Sequence, residues 1–302
     1  MGVTKQELEK FVDNYFKPHF IAYIDVLGYK SIFEGKTPFI QFYNTNRFVK
    51  WTKKETPALF SKLLSDFIAL SKNLSGTLDA GIKQKIFSDN FLFCTEENWE
   101  DLLAFVSILQ SFFVEEGILV RGALFYGDLH YSDESINGLG LIGAVDAEKR
   151  ARYPRIVVDG SFFEGAHIMA RQKYKDLENL DALTWSKEKG LCALDFDNEI
   201  FIDYLENLKR NVLEDESEKG YLNLKSVLTR QKIYTTLKMF TNSDAGVLEK
   251  LKWCRDYHDY FCKRHKLDDY IMNEISYENL LKPENLDDGV KHLISIILSE
   301  IT

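Results

Sequence analysis

Two aspartates lie where their carboxylates could hold metal ions. Asp25 follows an apolar run, His19 to Ile24, that predicts a β-strand, and Asp89 lies in a predicted hairpin turn between strands at 82–87 and 91–94. An ionised carboxylate is costly among apolar neighbours unless a partner compensates its charge. Two carboxylates at one edge of a sheet would form an oxygen-rich site suited to Mg²⁺ or Mn²⁺. Such paired metals can activate an attacking oxygen and neutralise a leaving pyrophosphate.

The turn that follows Asp25 has the composition of a phosphate-binding loop. Val26, Leu27, Gly28 and Tyr29 lead toward a predicted helix, so their backbone N–H groups could cradle a triphosphate. Gly28 would allow the phosphates to approach closely because it has no side chain. The alternative interpretation is that Asp25 only caps a helix and Asp89 only fills a turn, which are common places for aspartate.

The elements that must position these residues alternate between strands and helices. Up to residue 158 the patterns predict a strand, helices at 37–75, the hairpin, a helix from 98, a strand at 118–125 broken at Gly127, a helix at 141–152 and a strand at 154–158. This order is typical of a ferredoxin-like α+β sandwich, with helices on one face of a mainly antiparallel sheet.

The sequence changes character after residue 160. A hairpin is predicted from strands at 191–194 and 200–204, and long helices are predicted between Asn223 and Lys266. We therefore expect a catalytic domain at 1–160 and an accessory hairpin and helical region at 161–302, which packs on the first domain or on a second subunit.

Composition narrows the class of protein. The formal charge of −9 disfavours a nucleic-acid partner, which needs a basic face, whereas metal ions could supply the positive charge that a small polyphosphate needs. No apolar run reaches the roughly 18 residues of a membrane span, and the first sixteen residues lack the apolar core of a signal peptide. The four cysteines show neither metal spacing nor a disulfide framework. These features predict a cytoplasmic protein without a membrane partner.

Three short motifs together resemble the class III nucleotide cyclases. The stretch FIAYIDVLGY at 20–29 resembles their first metal motif, and KIFSD at 85–89 resembles their Lys-x-x-Gly-Asp hairpin with serine in place of glycine. VRGAL at 120–124 resembles their Arg-x-Gly-Ile strand. The stretch at 138–156 is similar to the divergent Pycsar pyrimidine cyclases. The resemblance covers about residues 19 to 160, and more faintly the hairpin that ends near Leu205.

The resemblance implies a reaction and a set of ligands. Asp25, Asp89 and the carbonyl of Val26 would hold two divalent metals, Mn²⁺ or Mg²⁺, and the enzyme would be a head-to-tail homodimer with composite sites. It would convert UTP into 3′,5′-cyclic UMP and diphosphate, a uridylate cyclase of antiphage defence whose product a separate effector senses. A cytidylate cyclase that makes cyclic CMP is the alternative.

Further substrate contacts follow only from the resemblance. Lys85 and Ser135 fall where adenine-using members contact the base, and Arg121 falls in the Arg-x-Gly strand. In pyrimidine-using relatives Lys85 could contact the base or a phosphate. As a strand lysine it could also be only solvated.

Two positions depart from the family pattern. Ile142 stands where the family has the asparagine that orients the ribose, and Asp146 stands where it has the arginine that steadies the transition state. Another cation must then substitute, and the candidates are Arg121, Lys149, Arg150 and Arg155, of which we expect Arg155. Otherwise the chain is a catalytically dead, cyclase-shaped module that binds a nucleotide or a partner protein.

Overall fold

The apolar periodicities of the sequence build an α+β fold, as predicted. The computed structural model describes residues 15–30, 34, 40–42, 48–50, 58, 61–63, 65, 66, 69, 81–173, 182–214, 224–241 and 244–272. The strands are β1 (Lys17–Val26), β2 (Ile40–Phe42), β3 (Phe48–Lys50), β4 (Lys83–Phe87), β5 (Asn90–Thr95), β6 (Val120–Tyr131), β7 (Ile136–Asn137), β8 (Ile156–Val158), β9 (Cys192–Leu194) and β10 (Ile200–Ile202). The helices are α1 (Trp99–Glu115), α2 (Leu139–Arg150), α3 (Gly160–Lys173), α4 (Ala182–Glu188), α5 (Tyr204–Glu214), α6 (Leu224–Thr241) and α7 (Ala245–Arg264).

β1 is the central strand of the larger sheet. In the described part of the chain the strand order is β4-β5-β1-β6-β8-β10-β9, with β7 paired to β6. β6 and β8 run parallel, and the other neighbours run antiparallel. Phe20, Ile21 and Ala22 are fully buried because both faces of β1 are covered there, which explains the continuous apolar run in the sequence.

The predicted hairpin at 82–94 is confirmed as β4 and β5. Its turn consists of Ser88 and Asp89, and Ser88 has a φ of 57°. This left-handed conformation favours glycine, so the serine here adopts a geometry that the glycine of the similar cyclase motif would adopt without steric cost.

One face of the sheet packs against α1 and α3. The ring of Phe93 lies 5.0 Å from that of Phe105 in α1, and the ring of Phe20 lies 5.2 Å from that of Phe162 in α3. The predicted apolar stripe of α1 is buried, as an amphipathic helix on a sheet requires.

The opposite face packs against α2, so the expectation of helices on one face only is wrong. Ile21, which points away from Phe20, forms a cluster with Leu92 and with Ala144 of α2. A Cβ at Gly140 would lie 2.8 Å from the carbonyl oxygen of Gly127 in β6. Small residues thus bring α2 close to the sheet.

Two local predictions differ from the structure. β6 runs without a break through Gly127, because this glycine pairs with His19 of β1 and makes room for α2. The stretch predicted as mostly helical at 37–75 contains the β2–β3 ladder, although its described residues from 58 to 69 are helical. A short helix is also predicted from the sequence before the strand at 19–24, and this prediction lies largely outside the described residues.

Two compact units divide the described residues. The first contains those up to Leu27, from Ile68 to Gln110 and from Val120 to Asn211, and therefore includes β9 and β10. The predicted catalytic domain ends earlier, at residue 160.

The second unit contains the remaining residues, including the helices predicted between 223 and 266. There, Arg230 of α6 pairs with Glu115 at 3.1 Å, and the ammonium of Lys238 donates to the carbonyl of Gly117 at 3.1 Å. α6 and the end of α1 are thereby joined within this unit.

Two properties bear on the expected surroundings of the protein. No helix in the described ranges has both the length and the apolar character needed to cross a membrane. All four cysteines are buried free thiols, and burial raises the pKa of Cys94 to about 12.

Candidate metal and nucleotide site

The structure brings the ends of β1 and of the β4–β5 hairpin together. Val26 donates its backbone N–H to the carbonyl oxygen of Asp89 at 3.0 Å, and Asp25 lies opposite Asn90 in the ladder. The amide of Asn90 also donates to the carboxylate of Asp89 at 3.1 Å. Asp25, Val26 and Asp89, the three predicted metal ligands, therefore lie at one rim of the sheet.

Arg121 lies directly beside Asp25. The two residues are opposite each other in the β1–β6 ladder, and Nη2 of Arg121 is 3.5 Å from Oδ2 of Asp25. The Nε atom of the same guanidinium pairs with the carboxylate of Glu148, a buried residue of α2. One arginine thus lies between two carboxylates that come from different elements.

The negative charges of three acidic residues all affect the phenol of Tyr23. Burial raises the pKa of its phenol, and the negative charges of Glu148, Asp25 and Asp89 raise that pKa further. Tyr23 lies two residues before Asp25 and so on the same face of β1. The rim is therefore an acidic region with Arg121 among its carboxylates.

The carboxylate oxygens at the rim suit a hard divalent cation that also binds the phosphates of a substrate. Within the described ranges, no three acidic, histidine or cysteine side chains are arranged to hold a metal ion. Mg²⁺ in phosphoryl-transfer sites is bound by one or two carboxylates together with substrate phosphates, and it keeps several waters. Asp25 and Asp89 provide such an incomplete oxygen set.

Lys85 and Ser135, the predicted base contacts, are brought to one loop. The ammonium of Lys85 donates to the carbonyl of Ser132 at 3.2 Å and to that of Asp133, and the backbone N–H of Ser135 donates to Oγ of Ser132 at 3.0 Å. Lys85 also pairs in register with Leu92, which pairs with Tyr23. The loop at 132–135 is thereby attached to the sheet face that carries Asp25.

The other residues of the predicted phosphate loop continue the chain from the rim. Leu27 is half-buried, and Gly28 is exposed with a φ of 77°. A Cβ at Gly28 would meet nothing within 4 Å, so the backbone there is open to approach. Gly28 and Tyr29 are counted with the second compact unit.

The two positions that depart from the family lie on the exposed side of α2. Ile142 is 59% exposed, and Asp146 is exposed and pairs with Lys149 at 2.8 Å. Arg150 pairs with Asp159. Lys149 and Arg150, two of the four candidate cations, therefore have acidic partners of their own.

The guanidinium of Arg155 pairs with carboxylates other than those of the rim, and its catalytic role stays a prediction. Its side chain is fully buried, and its guanidinium pairs with Asp195 and Asp197 in the turn between β9 and β10. Removing one member of such a buried ion pair destabilises a fold, because it leaves a buried charge without compensation. Of the four candidate cations, Arg121 is the one seen beside a predicted metal ligand.

Sequence reasoning did not assign a role to Glu148 or Tyr23. The signal for Tyr23 was its spacing of two from Asp25 in a strand. The signal for Glu148 was its position four residues after Ala144 in a helix whose small residues face the sheet. Its pairing with Arg121 joins positions 27 residues apart, 121 and 148, and becomes visible only in the folded structure.

No protein-family model and no curated protein matches this chain. Solved structures that resemble it include the guanylyl cyclase Cya2, with 14% identity and a TM-score of 0.37 over 50% of this chain and 79% of that chain. The monomeric guanylyl cyclase domain of the RhoGC fusion protein from the aquatic fungus Blastocladiella emersonii has 13% identity and a TM-score of 0.40 over 62% and 95%. The adenylyl cyclase CyaB from P. aeruginosa has 13% identity and a TM-score of 0.33 over 52% and 82%. At these values the likeness is one of general chain arrangement, and the chemistry rests on the residues of the rim.

Proposed function

We propose that the chain is a nucleotide cyclase whose active site is the rim formed by Asp25 and Asp89. The observation that carries the proposal is the main-chain bond from Val26 to Asp89, which brings two acidic motifs 64 residues apart, at 25 and 89, to the same end of the sheet. The alternative interpretation, in which Asp25 only caps a helix and Asp89 only fills a turn, does not require the two residues to lie at the same end of the sheet.

The residues of the rim have separate tasks in this reaction. Asp25 and Asp89 would hold two divalent cations, which when bound activate the attacking oxygen and neutralise the departing diphosphate. The 3′-hydroxyl oxygen bonds to the α-phosphorus, the bond from that phosphorus to the bridging oxygen breaks, and the hydroxyl proton passes to water. Arg121 would donate N–H bonds to the triphosphate beside Asp25.

The base is chosen by resemblance to the pyrimidine cyclases. UTP is the favoured substrate and cyclic UMP the product, in antiphage defence with a separate effector, and CTP is the alternative. Lys85 of β4 bonds to the loop that contains Ser135, and it lies in register with Leu92, which pairs with Tyr23. This loop is therefore the proposed wall of the base pocket.

A homodimer would complete the site. Leu139 and Ile142 are 74% and 59% exposed on α2, and large apolar side chains exposed together are typical of interaction surfaces.

The test is a turnover assay on the purified full chain. We expect that incubation with Mn²⁺ and each of the four nucleoside triphosphates yields a cyclic monophosphate from UTP, identified by mass spectrometry. Asp89→Asn should lower the rate at least about 100-fold, because a neutral amide does not replace a metal-binding carboxylate. Asp128→Asn is the control, since Asp128 is an exposed residue at the other end of β6.

Two outcomes would contradict the proposal. Turnover that survives Asp89→Asn would mean that the reaction occurs elsewhere. Absence of product from all four triphosphates would favour the second candidate function, a catalytically dead cyclase-shaped module. That candidate is favoured by Ile142 and Asp146, which replace the asparagine and the arginine of the similar family.

A further inference from the structure

Arg121 creates a conflict at the proposed metal site. Its guanidinium lies beside Asp25, and a fixed positive charge there repels a divalent cation and competes for the same carboxylate oxygens. Arginine often binds a carboxylate with two parallel N–H bonds, which would occupy both oxygens of Asp25. Something must keep Arg121 from closing on Asp25 in this way.

Glu148 holds the opposite part of the guanidinium. The carboxylate of Glu148 forms an ion pair with Nε of Arg121, and Nη2 of the same guanidinium lies 3.5 Å from Oδ2 of Asp25. Glu148 is buried and is fixed to α2, whose neighbouring Ala144 and Ala147 have no exposed surface against the sheet. Arg121 therefore has a second carboxylate partner, and the helix that carries this partner is packed against the sheet.

We propose that Glu148 is a positioning residue that keeps Asp25 available to divalent cations by holding and neutralising Arg121. With Glu148 present, Arg121 and Glu148 cancel in charge, and Asp25 and Asp89 present two negative charges to the metal. Without it, Arg121 offsets one of those charges and closes on Asp25. This inference rests on the proposed function, in which Asp25 is a metal ligand.

Glu148 acts through Arg121 and not as a third ligand. In the part of the chain that the structure describes, Asp25, Asp89 and Glu148 do not form a group of three that could hold one ion. The two roles predict different behaviour when Arg121 is removed, so a double-mutant cycle separates them.

The experiment measures Mn²⁺ binding to the full chain without nucleotide, by the electron paramagnetic resonance signal of free Mn²⁺. Glu148→Gln should weaken binding about ten- to a hundredfold, the usual effect of losing a group that orients a metal ligand. Arg121→Gln should bind at least as tightly as the unchanged chain. The double variant Arg121→Gln/Glu148→Gln should recover binding, because Asp25 and Asp89 remain and the guanidinium of Arg121 is gone.

The double variant keeps the test decisive if Glu148→Gln fails to fold. The single substitution removes one of the two carboxylate partners of the partly buried Arg121, whereas replacing both Arg121 and Glu148 removes the cation together with that partner. Unchanged Mn²⁺ affinity in a folded Glu148→Gln variant would overturn the proposal. A double variant about tenfold or more weaker than the unchanged chain would also overturn it, because Glu148 would then act on the metal independently of Arg121.

Failure of this inference is distinguishable from failure of the proposed function. If the unchanged chain forms a cyclic product while Glu148→Gln binds Mn²⁺ normally, the cyclase activity holds and the role of Glu148 does not. If Mn²⁺ binds and responds to Glu148 as expected but no triphosphate is cyclised, the positioning role holds and the cyclase activity does not.

Discussion

At the scale of single residues, the partners of each cation decide what it can do. Lys85 directs its ammonium to the carbonyls of Ser132 and Asp133. A lysine has three N–H donors, so a base could receive at most the remaining one. The structure thus favours a role for Lys85 in shaping the loop at 132–135 over a role in reading the base.

Lys85→Met should loosen this loop without changing base preference. We expect the backbone N–H of Ser135 to exchange with solvent about tenfold faster. The substitution removes the two bonds from the ammonium, so local opening of the loop costs less free energy. The KM values for UTP and CTP should rise by the same factor. Hydrogen exchange with mass spectrometry and steady-state kinetics on the same preparation check both results.

Lys83→Met is the matched control for this prediction. Lys83 lies on the same strand, and it pairs with Glu96 at 3.1 Å instead of with the loop. Its replacement should leave exchange at Ser135 unchanged. If Lys85→Met instead alters the ratio of UTP to CTP turnover and leaves exchange unchanged, Lys85 reads the base directly.

Whether the role of a residue could be predicted depends on how far away its partners lie along the chain. Asp25 and Asp89 stand out in the sequence because apolar residues flank each of them. The partners of Arg155 do not, because Asp195 and Asp197 lie 40 and 42 residues away along the chain. The same limit hid the pairing of Arg121 with Glu148.

At the scale of elements, α2 depends on the absence of side chains. Gly140 lies against Gly127 of β6 and Ile21 of β1. A Cβ at Gly140 would lie 2.8 Å from the carbonyl oxygen of Gly127 and 2.7 Å from Cδ1 of Ile21. Glycine is a poor helix former, and its presence in α2 is explained by this close approach. The sequence pattern indicated a break in β6 at Gly127, because the same glycine signal marks strand ends and close packing alike.

Gly140→Ala should destabilise the fold by about 1 to 3 kcal/mol, the usual cost of overpacking, although alanine is the better helix former. Because α2 carries Glu148, the displaced helix should also weaken Mn²⁺ binding. Urea denaturation checks the first effect, and the Mn²⁺ titration checks the second. Gly160→Ala is the control, since a Cβ at Gly160 would meet nothing within 4 Å. Equal stability of the two variants would contradict the close packing.

At the scale of the whole molecule, the acidic composition agrees with the arrangement of the rim. The chain has a formal charge of −9, and Asp25 and Asp89 lie at the end of β1, where the backbone of Val26 bonds to that of Asp89. An acidic surface of this kind binds anions only where cations or arginines provide compensation. Arg121 is such a group, and Glu148 sets how much of its charge is available.

The class of fold could be predicted from the sequence, but the number of strands in the sheet could not. The alternating motifs predicted the α+β class and the hairpin that carries Asp89. The addition of β9 and β10 to the sheet depends on one register pair, Phe201 with Val157, and on Arg155 in the neighbouring turn. Contacts between segments so far apart in the chain leave no periodic signal.

His258 makes the stability of the molecule depend on pH. It lies in α7 with no exposed surface, and burial, with a smaller effect from the charge of Lys232, lowers its pKa to about 3. The unfolded chain binds a proton near pH 6.5, whereas the folded chain does not until about pH 3. The contribution of His258 to stability is therefore present above pH 6.5 and is lost as the pH falls toward 3.

Between pH 7 and pH 5, His258 should account for a loss of about 2 kcal/mol in the free energy of unfolding. His258→Leu removes the proton-binding group and should reduce the pH-dependent loss by that amount, as measured by urea denaturation at both pH values. His265→Leu, which removes a half-buried histidine at the end of the same helix, should keep the loss seen in the unchanged chain. If His258→Leu loses as much stability at pH 5 as the unchanged chain, this histidine is protonated in the folded state, and its environment is more polar than its burial indicates.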